Sequence, residues 1–307
     1  MIFDVTILGC GAATPTSRFN PSAQVVNVHD KLFLVDCGEG TQVQLRRQKI
    51  KIQRINHIFI SHLHGDHYLG LIGLLSTMHL LGRTAGIHLY GPPELKELVE
   101  VNLRLSDTWL VYPLEFHALV PGSKQLIHED RTLEVHAFPL RHRIATWGYL
   151  FREKPRPLNM LTSEVAHYRL HPEEIISLKA GHPVERPDGS VITPEMACAP
   201  PQPLRAYAYC SDTAYWEPLA EFIRGADLLY HESTFLEKES ARAHETYHST
   251  AGQAARMAAR AGVGQLMLGH FSSRYDSTDR FIEEAIPHFS NSILAEEGKT
   301  FSVGPVL

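Results

Sequence analysis

The sequence has no apolar run approaching the ~20 residues that a membrane-spanning helix needs. It has no excess of positive charge. Its 29 Lys and Arg stand against 34 Asp and Glu, a formal charge of −5, so bulk cationic attraction cannot be how it holds a polyanion. Cysteine is scarce: Cys10, Cys37, Cys198 and Cys210 are widely separated with no CxxC pair, and read as reduced core thiols rather than a disulfide frame. The opening Met1-Ile-Phe-Asp-Val-Thr-Ile-Leu-Gly alternates like a strand and lacks the basic flank of a signal peptide, so a cytoplasmic location without a membrane partner is expected. No internal repeat is present.

What the chain does have is length and histidine. Its 307 residues, 44% hydrophobic, suffice for one large domain or two ordinary ones with a buried core. Nineteen histidines are an excess that asks for a site, since neutral imidazole is the commonest metal ligand and a frequent acid or base.

Strand-like and helix-like runs alternate. Strands are expected over 3–9, 23–28, 32–36, 55–60, 87–90, 132–138, 206–210, 227–230 and 265–268. Helices are expected over 41–47, 69–81, 93–105, 249–260 and 278–286, with Ser249 and Ser277 as N-caps of the last two. This mixture fits a layered α/β architecture. Residues 151–205 differ: they hold nine of the 19 prolines and look irregular apart from a short helix near 172–179. A stretch that long is no ordinary connection, and it reads as an arm inserted into a single domain, the alternative being a linker between two domains.

The strongest chemical signal is Ser61-His62-Leu63-His64-Gly65-Asp66-His67, directly after an apolar strand. Four ligand-type side chains within six residues suit two divalent ions about 3.5–4 Å apart. Imidazole and carboxylate without thiolate favour zinc, manganese or iron. Further ligands are expected at the ends of other strands: His142, Asp212, whose two oxygens make it a candidate bridge, and His270.

His-x-His-x-Asp-His resembles the signature of the metallo-β-lactamase superfamily. Leu8-Gly9-Cys10-Gly11, Asp36-Cys37-Gly38-Glu39-Gly40-Thr41-Gln42, Tyr230-His231-Glu232-Ser233-Thr234 and His248-Ser249-Thr250-Ala251 narrow the resemblance to the ribonuclease Z family, endonucleases that trim 3′ extensions from precursor tRNA. The resemblance covers essentially the whole chain, and the length suits the short, homodimeric form. It implies an αββα sandwich: two packed mixed sheets with helices outside, the site at their shared edge. It places His62, His64 and His142 on one zinc and Asp66, His67 and His270 on a second, with Asp212 bridging. It also implies that residues 151–205 are a protruding tRNA-binding arm, with Gly181-His182-Pro183 resembling its Gly-x-Pro tip.

The chemistry expected of this set is hydroxide attack on a phosphodiester, leaving a 3′-hydroxyl on the tRNA, with Asp66 able to take a proton as well as ligate. The leaving ribose oxygen needs a proton, and His248 is the candidate general acid, oriented by Glu232. His231, beside the strand end, stays open between structural packing and catalysis. Arg274 is placed to grip a phosphate oxygen, and five cations between Arg46 and Arg54 offer a contact for tRNA backbone.

Two features depart from the family pattern. The loop that reads Pro-x-Lys-x-Arg-Asn there is Pro15-Thr16-Ser17-Arg18-Phe19-Asn20 here, leaving Arg18 and Asn20 as the residues to contact the tRNA end. The arm is not basic: Arg152, Lys154, Arg156, Arg169, Lys179, Arg186 and Arg205 are matched by seven acidic residues. Competing functions are a small-molecule phosphodiesterase or a thioester hydrolase on the same fold, and a non-catalytic RNA-binding subunit. A thiolate leaves without an acid, so the His248–Glu232 pair argues against the thioesterase, and the full ligand set argues against the inert subunit.

Overall fold

Alternation along single strands sets up the layers in the computed structural model, which describes residues 2–304. In β1 (Phe3–Gly9), Phe3, Val5 and Ile7 enter one core while Leu8 enters another. With side chains alternating at period two, a strand apolar on both faces must be covered on both. β2 (Ala23–Val28), β3 (Lys31–Val35), β4 (Ile55–Phe59), β5 (Ile87–Gly91) and β6 (Leu114–Ala118) continue this first sheet. β7 (Gln125–Glu129), β8 (Leu133–Leu140) and β9 (Thr146–Glu153) begin a second. After the short hairpin β10 (Val184–Glu185) and β11 (Val191–Ile192), it is completed by β12 (Ala206–Cys210), β13 (Leu228–Glu232), β14 (Gln265–Gly269) and β15 (Ser292–Leu294). β16 (Thr300–Ser302) returns to pair with β1. The sheet orders are β16-β1-β2-β3-β4-β5-β6 and β15-β14-β13-β12-β9-β8-β7.

The larger core lies between the sheets, where Phe33 and Phe59 meet Phe151, Phe59 also meets Tyr149 and Tyr207 packs on Phe151, and it extends to the helix Ala251–Ala261. The other core packs the outer face of the first sheet against the helices Thr41–Arg47, Leu71–Leu80 and Glu94–Leu105. The result is the expected αββα sandwich. Three buried tyrosines of the second sheet pin the first through their hydroxyls: Tyr149 donates to the Ile60 carbonyl at 2.7 Å, Tyr209 to Asp36 at 2.6 Å, and Tyr207 to Gln24.

Several expectations need correction. The helix expected over 69–81 is broken at Gly70, because Gly70 N donates to the Cys37 carbonyl and a Cβ there would meet the Gly38 oxygen at 2.1 Å. Thr250, not Ser249, caps the helix Ala251–Ala261, in a reciprocal capping box with Gln253. Ser249 Oγ instead donates to the Thr213 carbonyl. Ser277 Oγ does accept the Asp279 N–H, but from one position before the N-cap Thr278. All four cysteines are buried free thiols. Among the described residues no helix is long and apolar enough to cross a membrane.

The chain divides into two compact units, and Glu153–Leu204 with Asp130–Thr132 forms the smaller. It is more regular than its composition suggests. Helices Thr162–His167, Pro172–Lys179 and Pro194–Ala197 and the hairpin β10–β11 surround a small core of Leu170, Leu178, Ile192, Ala197 and Cys198. Much of its charge is spent internally: Arg186 makes a bidentate pair with Glu174, and Arg156 pairs with Glu153.

Candidate metal centre and acid–base pair

The chain leaves β4 into the loop carrying His62 and His64, and the short helix Gly65–Tyr68 turns Asp66 and His67 back over them. His142 follows β8, Asp212 follows β12, Glu232 ends β13 and His270 follows β14. The seven donor side chains, with Glu232 beside them, meet at this one edge of the sandwich. His64 Nδ1 lies 3.1 Å from His62 Nε2 and 3.2 Å from His142 Nε2. Asp212 Oδ2 faces that group, 3.5 Å from His62 and 3.8 Å from His142. Its other oxygen faces a second group, 3.3 Å from His67 Nε2 and 3.2 Å from His270 Nε2. Asp66 Oδ2 stands 3.5 Å from His67 Nε2 and 3.3 Å from His270 Nε2.

The outer nitrogens show which way the lone pairs point. His67 Nδ1–H donates to Asp36 at 2.7 Å, and His142 Nδ1–H to the Tyr247 carbonyl at 2.8 Å. His62 Nδ1 lies 3.0 Å from Ser61 Oγ, and His270 Nδ1 2.9 Å from Thr234 Oγ1. With the proton of His67 and His142 on Nδ1, each Nε2 carries a lone pair aimed at other acceptors. His67 Nε2 and Asp212 Oδ1 are buried without a hydrogen-bond partner. Buried acceptors facing acceptors are costly unless a cation lies among them. The donor set fits two hard-to-borderline divalent ions, one among His62, His64, His142 and Asp212 and one among Asp66, His67 and His270. Burial would lower His67, but Asp66, Asp212 and Asp36 outweigh it and push it well up, so with no cation in place a proton on Nε2 takes the position that an ion would fill. His62 and His142 are held down to about 4, chiefly by burial, which keeps them neutral as ligands must be.

Beside this cluster His248 Nδ1 lies 2.9 Å from Glu232 Oε1. Glu232 is fully buried and also accepts the backbone N–H groups of Thr213, Ser249 and Thr234, so its position is over-determined. Burial acts to lower His248, yet Glu232 and Asp212 prevail and push it up to about 9. Its Nε2 is 3.9 Å from Asp212 Oδ2. His231 is buried and donates from Nδ1 to the Glu232 carbonyl.

A cleft of about 330 Å³ opens onto the site, lined by Asp66, Asp212, His248, His270 and Arg274 among others. Arg274 lies over the Phe235 ring at 5.0 Å, with its Nε donating to Ser272 Oγ. Arg143 and Arg242 also line the cleft and were passed over in the sequence, as was Asp36, visible there only as part of a motif. Arg18 and Asn20 do not line it. The Arg18 guanidinium donates to the carbonyls of Tyr275 and Asp276, and Asn20 is held by Glu297, which accepts both its N–H and its side-chain amide at 2.6 Å. Gly181 and Pro183 belong to the smaller unit, where Gly181 takes φ 86° in the turn closing Pro172–Lys179.

Known proteins place this arrangement. A beta-lactamase superfamily domain profile matches residues 178–271, and that of the anti-Pycsar protein Apyc1 matches residues 3–106. Over 301 residues, 98% of this chain and 99% of the relative, the sequence is 48% identical to a Ribonuclease Z of Bacteroides fragilis. The chain belongs to the ribonuclease Z family. Its likeness to the Ribonuclease Z of Porphyromonas gingivalis is 43% over 295 residues, covering 96% and 97% of the two chains. Among solved structures it resembles the short form of human tRNase Z, with a TM-score of 0.72 and 29% identity over 98% of this chain and 100% of that one. As a ribonuclease Z family member with this fold, the protein is a metal-dependent hydrolase.

Proposed function

We propose that the protein is a zinc-dependent endoribonuclease that removes the 3′ extension of precursor tRNA and leaves a 3′-hydroxyl on the tRNA. The observation that carries this reading is the His248–Glu232 pair set beside seven convergent donors, in a chain that matches ribonuclease Z relatives over nearly its full length. Two zinc ions per subunit are proposed; manganese or iron would suit the same nitrogen and oxygen donors. When bound, they supply a nucleophilic water acidified toward neutrality and positive charge for the phosphate.

The protein's own residues do the rest. Asp212 presents one oxygen to each histidine group, so it holds both halves of the donor set in register. Asp66 Oδ2 accepts the Ala13 N–H at 2.7 Å and is thereby fixed against the cleft wall. His248 keeps its Nδ1 proton on Glu232 and carries a second proton at Nε2 at neutral pH, available to the departing ribose 3′-oxygen. Arg143, Arg242 and Arg274 surround the cleft with positive charge suited to flanking phosphates.

The unit Glu153–Leu204 is proposed as the tRNA-gripping arm, with Gly181-His182-Pro183 at its tip, and the enzyme as a cytoplasmic homodimer. The deciding experiment gives purified protein 3′-extended precursor tRNA, mature CCA-ended tRNA and bis-p-nitrophenyl phosphate, each with and without chelator. Chelator-sensitive cleavage of the precursor at the tRNA end is the expected result. Cleavage of the small phosphodiester alone would overturn the tRNA assignment, and tight tRNA binding without cleavage would favour an inert RNA-binding subunit. Sedimentation of the enzyme at working concentration tests the dimer.

A further inference from the structure

Away from the cleft, the inner face of the first sheet carries a second cluster of histidines. The parallel register of β5 and β6 pairs His88 with Glu115 and Tyr90 with His117. These four side chains therefore leave the sheet on one face, with Glu115 and His117 two apart on the edge strand. His88 Nδ1 lies 3.1 Å from His117 Nε2 and 3.3 Å from Glu115 Oε2, and one donor atom from each of the three falls within 4.8 Å of the others. A tetrahedral ion with bonds of about 2.0–2.1 Å holds its ligands about 3.3 Å apart. The two measured separations already match that spacing.

The rings are held in place from behind. His57 stacks on His88 with centroids 4.9 Å apart and planes 11° from parallel, and Tyr90 stacks on His117 at 4.4 Å and 14°. His128 of β7, across the sandwich, brings its ring to 4.2 Å from His57. Ligands braced in this way lose little rotamer freedom on binding, which is what separates a site from a chance surface grouping.

We propose that His88, Glu115 and His117 form an additional site for a divalent transition metal such as zinc or nickel, with water in the remaining position. Two imidazoles and one carboxylate suit these borderline ions, and the exposure of Glu115 leaves room for the water. None of the three residues lines the catalytic cleft. The bound ion would staple the edge strand β6 to β5, protecting an edge that has no strand beyond it among the described residues. The competing arrangement is a simple His88–His117 hydrogen bond with Glu115 beside it, and the two differ in metal uptake.

The test uses the holoenzyme with its catalytic metal in place, equilibrated with Zn2+ buffered over a range of free concentrations and assayed for zinc per chain. Wild type is expected to take up one ion more than His117→Ala or His88→Ala, while turnover on precursor tRNA is unchanged in both variants. Glu115→Gln, a mild change at an exposed position, should weaken the extra ion at least tenfold and leave the catalytic zinc intact. It also keeps the test decisive if an alanine variant fails to fold. Added zinc should raise the melting temperature of wild type above that of Glu115→Gln. Equal zinc content in wild type and Glu115→Gln at every free concentration would overturn the proposal.

Discussion

Asp36 Oδ2 lies 2.7 Å from His67 Nδ1, and the same oxygen accepts the Tyr209 hydroxyl from the opposite sheet at 2.6 Å. One buried carboxylate thus sets the orientation of a ligand-type histidine and ties it to the packing of the sandwich. Asp36 itself holds φ 56°, an uncommon backbone state for a non-glycine residue, sustained by its four hydrogen bonds to Ser61, His67 and Tyr209. Asp36→Asn keeps the shape and removes the charge. Metal affinity should fall about 10- to 100-fold, as read by competition with a chromophoric chelator; unchanged affinity would remove Asp36 from the site.

The His248–Glu232 pair makes a prediction that depends on the leaving group. His248→Ala should keep its metal content but lose about 10²- to 10⁴-fold in turnover on precursor tRNA. Bis-p-nitrophenyl phosphate, whose nitrophenolate leaves without a proton, should be affected far less. Equal losses on both substrates would point to a structural role instead.

The pH profile follows from the same pair. Glu232 and Asp212 together hold His248 protonated up to about pH 9, against the opposing effect of burial. A general acid works while protonated, so activity that depends on it falls as pH rises through its pKa. Glu232→Gln removes a negative charge 2.9 Å away, lowering that pKa and moving the basic limb of kcat/KM to lower pH. An unmoved limb in the variant would exclude His248 as the group titrating there.

Removal of metal should destabilise the fold as well as stop turnover. Without cations, the nitrogens of buried histidines face the oxygens of Asp66 and Asp212 and must take up protons in their place. An ion present at a hundred times its Kd adds about 2.7 kcal/mol, so a chelated sample should melt several degrees lower and recover with Zn2+. A melting temperature indifferent to chelator would mean that the cluster is satisfied by protons alone.

Gly38 lets the Asp36 loop pass under the ligand helix. A Cβ there would stand 2.5 Å from the Asp66 carbonyl oxygen and 2.5 Å from Pro21 Cβ. Gly38→Ala should therefore cost about 1–3 kcal/mol and weaken metal binding by displacing Asp66, measured by thermal melting alongside zinc content.

Arg169 is exposed on the smaller unit, outside the Arg186–Glu174 and Arg156–Glu153 pairs. If that unit grips tRNA, Arg169→Glu should raise KM for precursor tRNA severalfold and steepen no other parameter, with bis-p-nitrophenyl phosphate hydrolysis unchanged. Identical KM values would place tRNA contact elsewhere.

How much was legible in the sequence depended on how local each signal is. β1, β2 and β12 and the helix Thr41–Arg47 appear over the residues read from their patterns, because alternation and helical periodicity lie within a few residues of each other. The strands β6, β7 and β9 were not seen. β6 and β7 are edge strands with half-exposed patterns, and β9 is buried almost throughout and shows no alternation. The regular structure of Glu153–Leu204 was hidden by its prolines, two of which sit in the first turn of helices, where the missing N–H costs nothing.

The sequence alone determined the chemistry: four ligand-type residues in six, the carboxylates and histidines at strand ends, and the motifs that belong to one family. Those are properties of residue identity and short spacing, and they survive without any knowledge of what touches what. Tertiary structure decided the pairings between distant positions. Asp36 meets His67, Asp66 meets His270 and Glu232 meets His248 only because two seven-stranded sheets deliver their strand ends to one edge. The same packing drew Arg18 and Asn20 onto carbonyls and Glu297, and brought Arg143 and Arg242 into the cleft. Polar side chains satisfy whatever partner the fold places within reach, and that choice is written in the register of the sheets rather than in the neighbours along the chain.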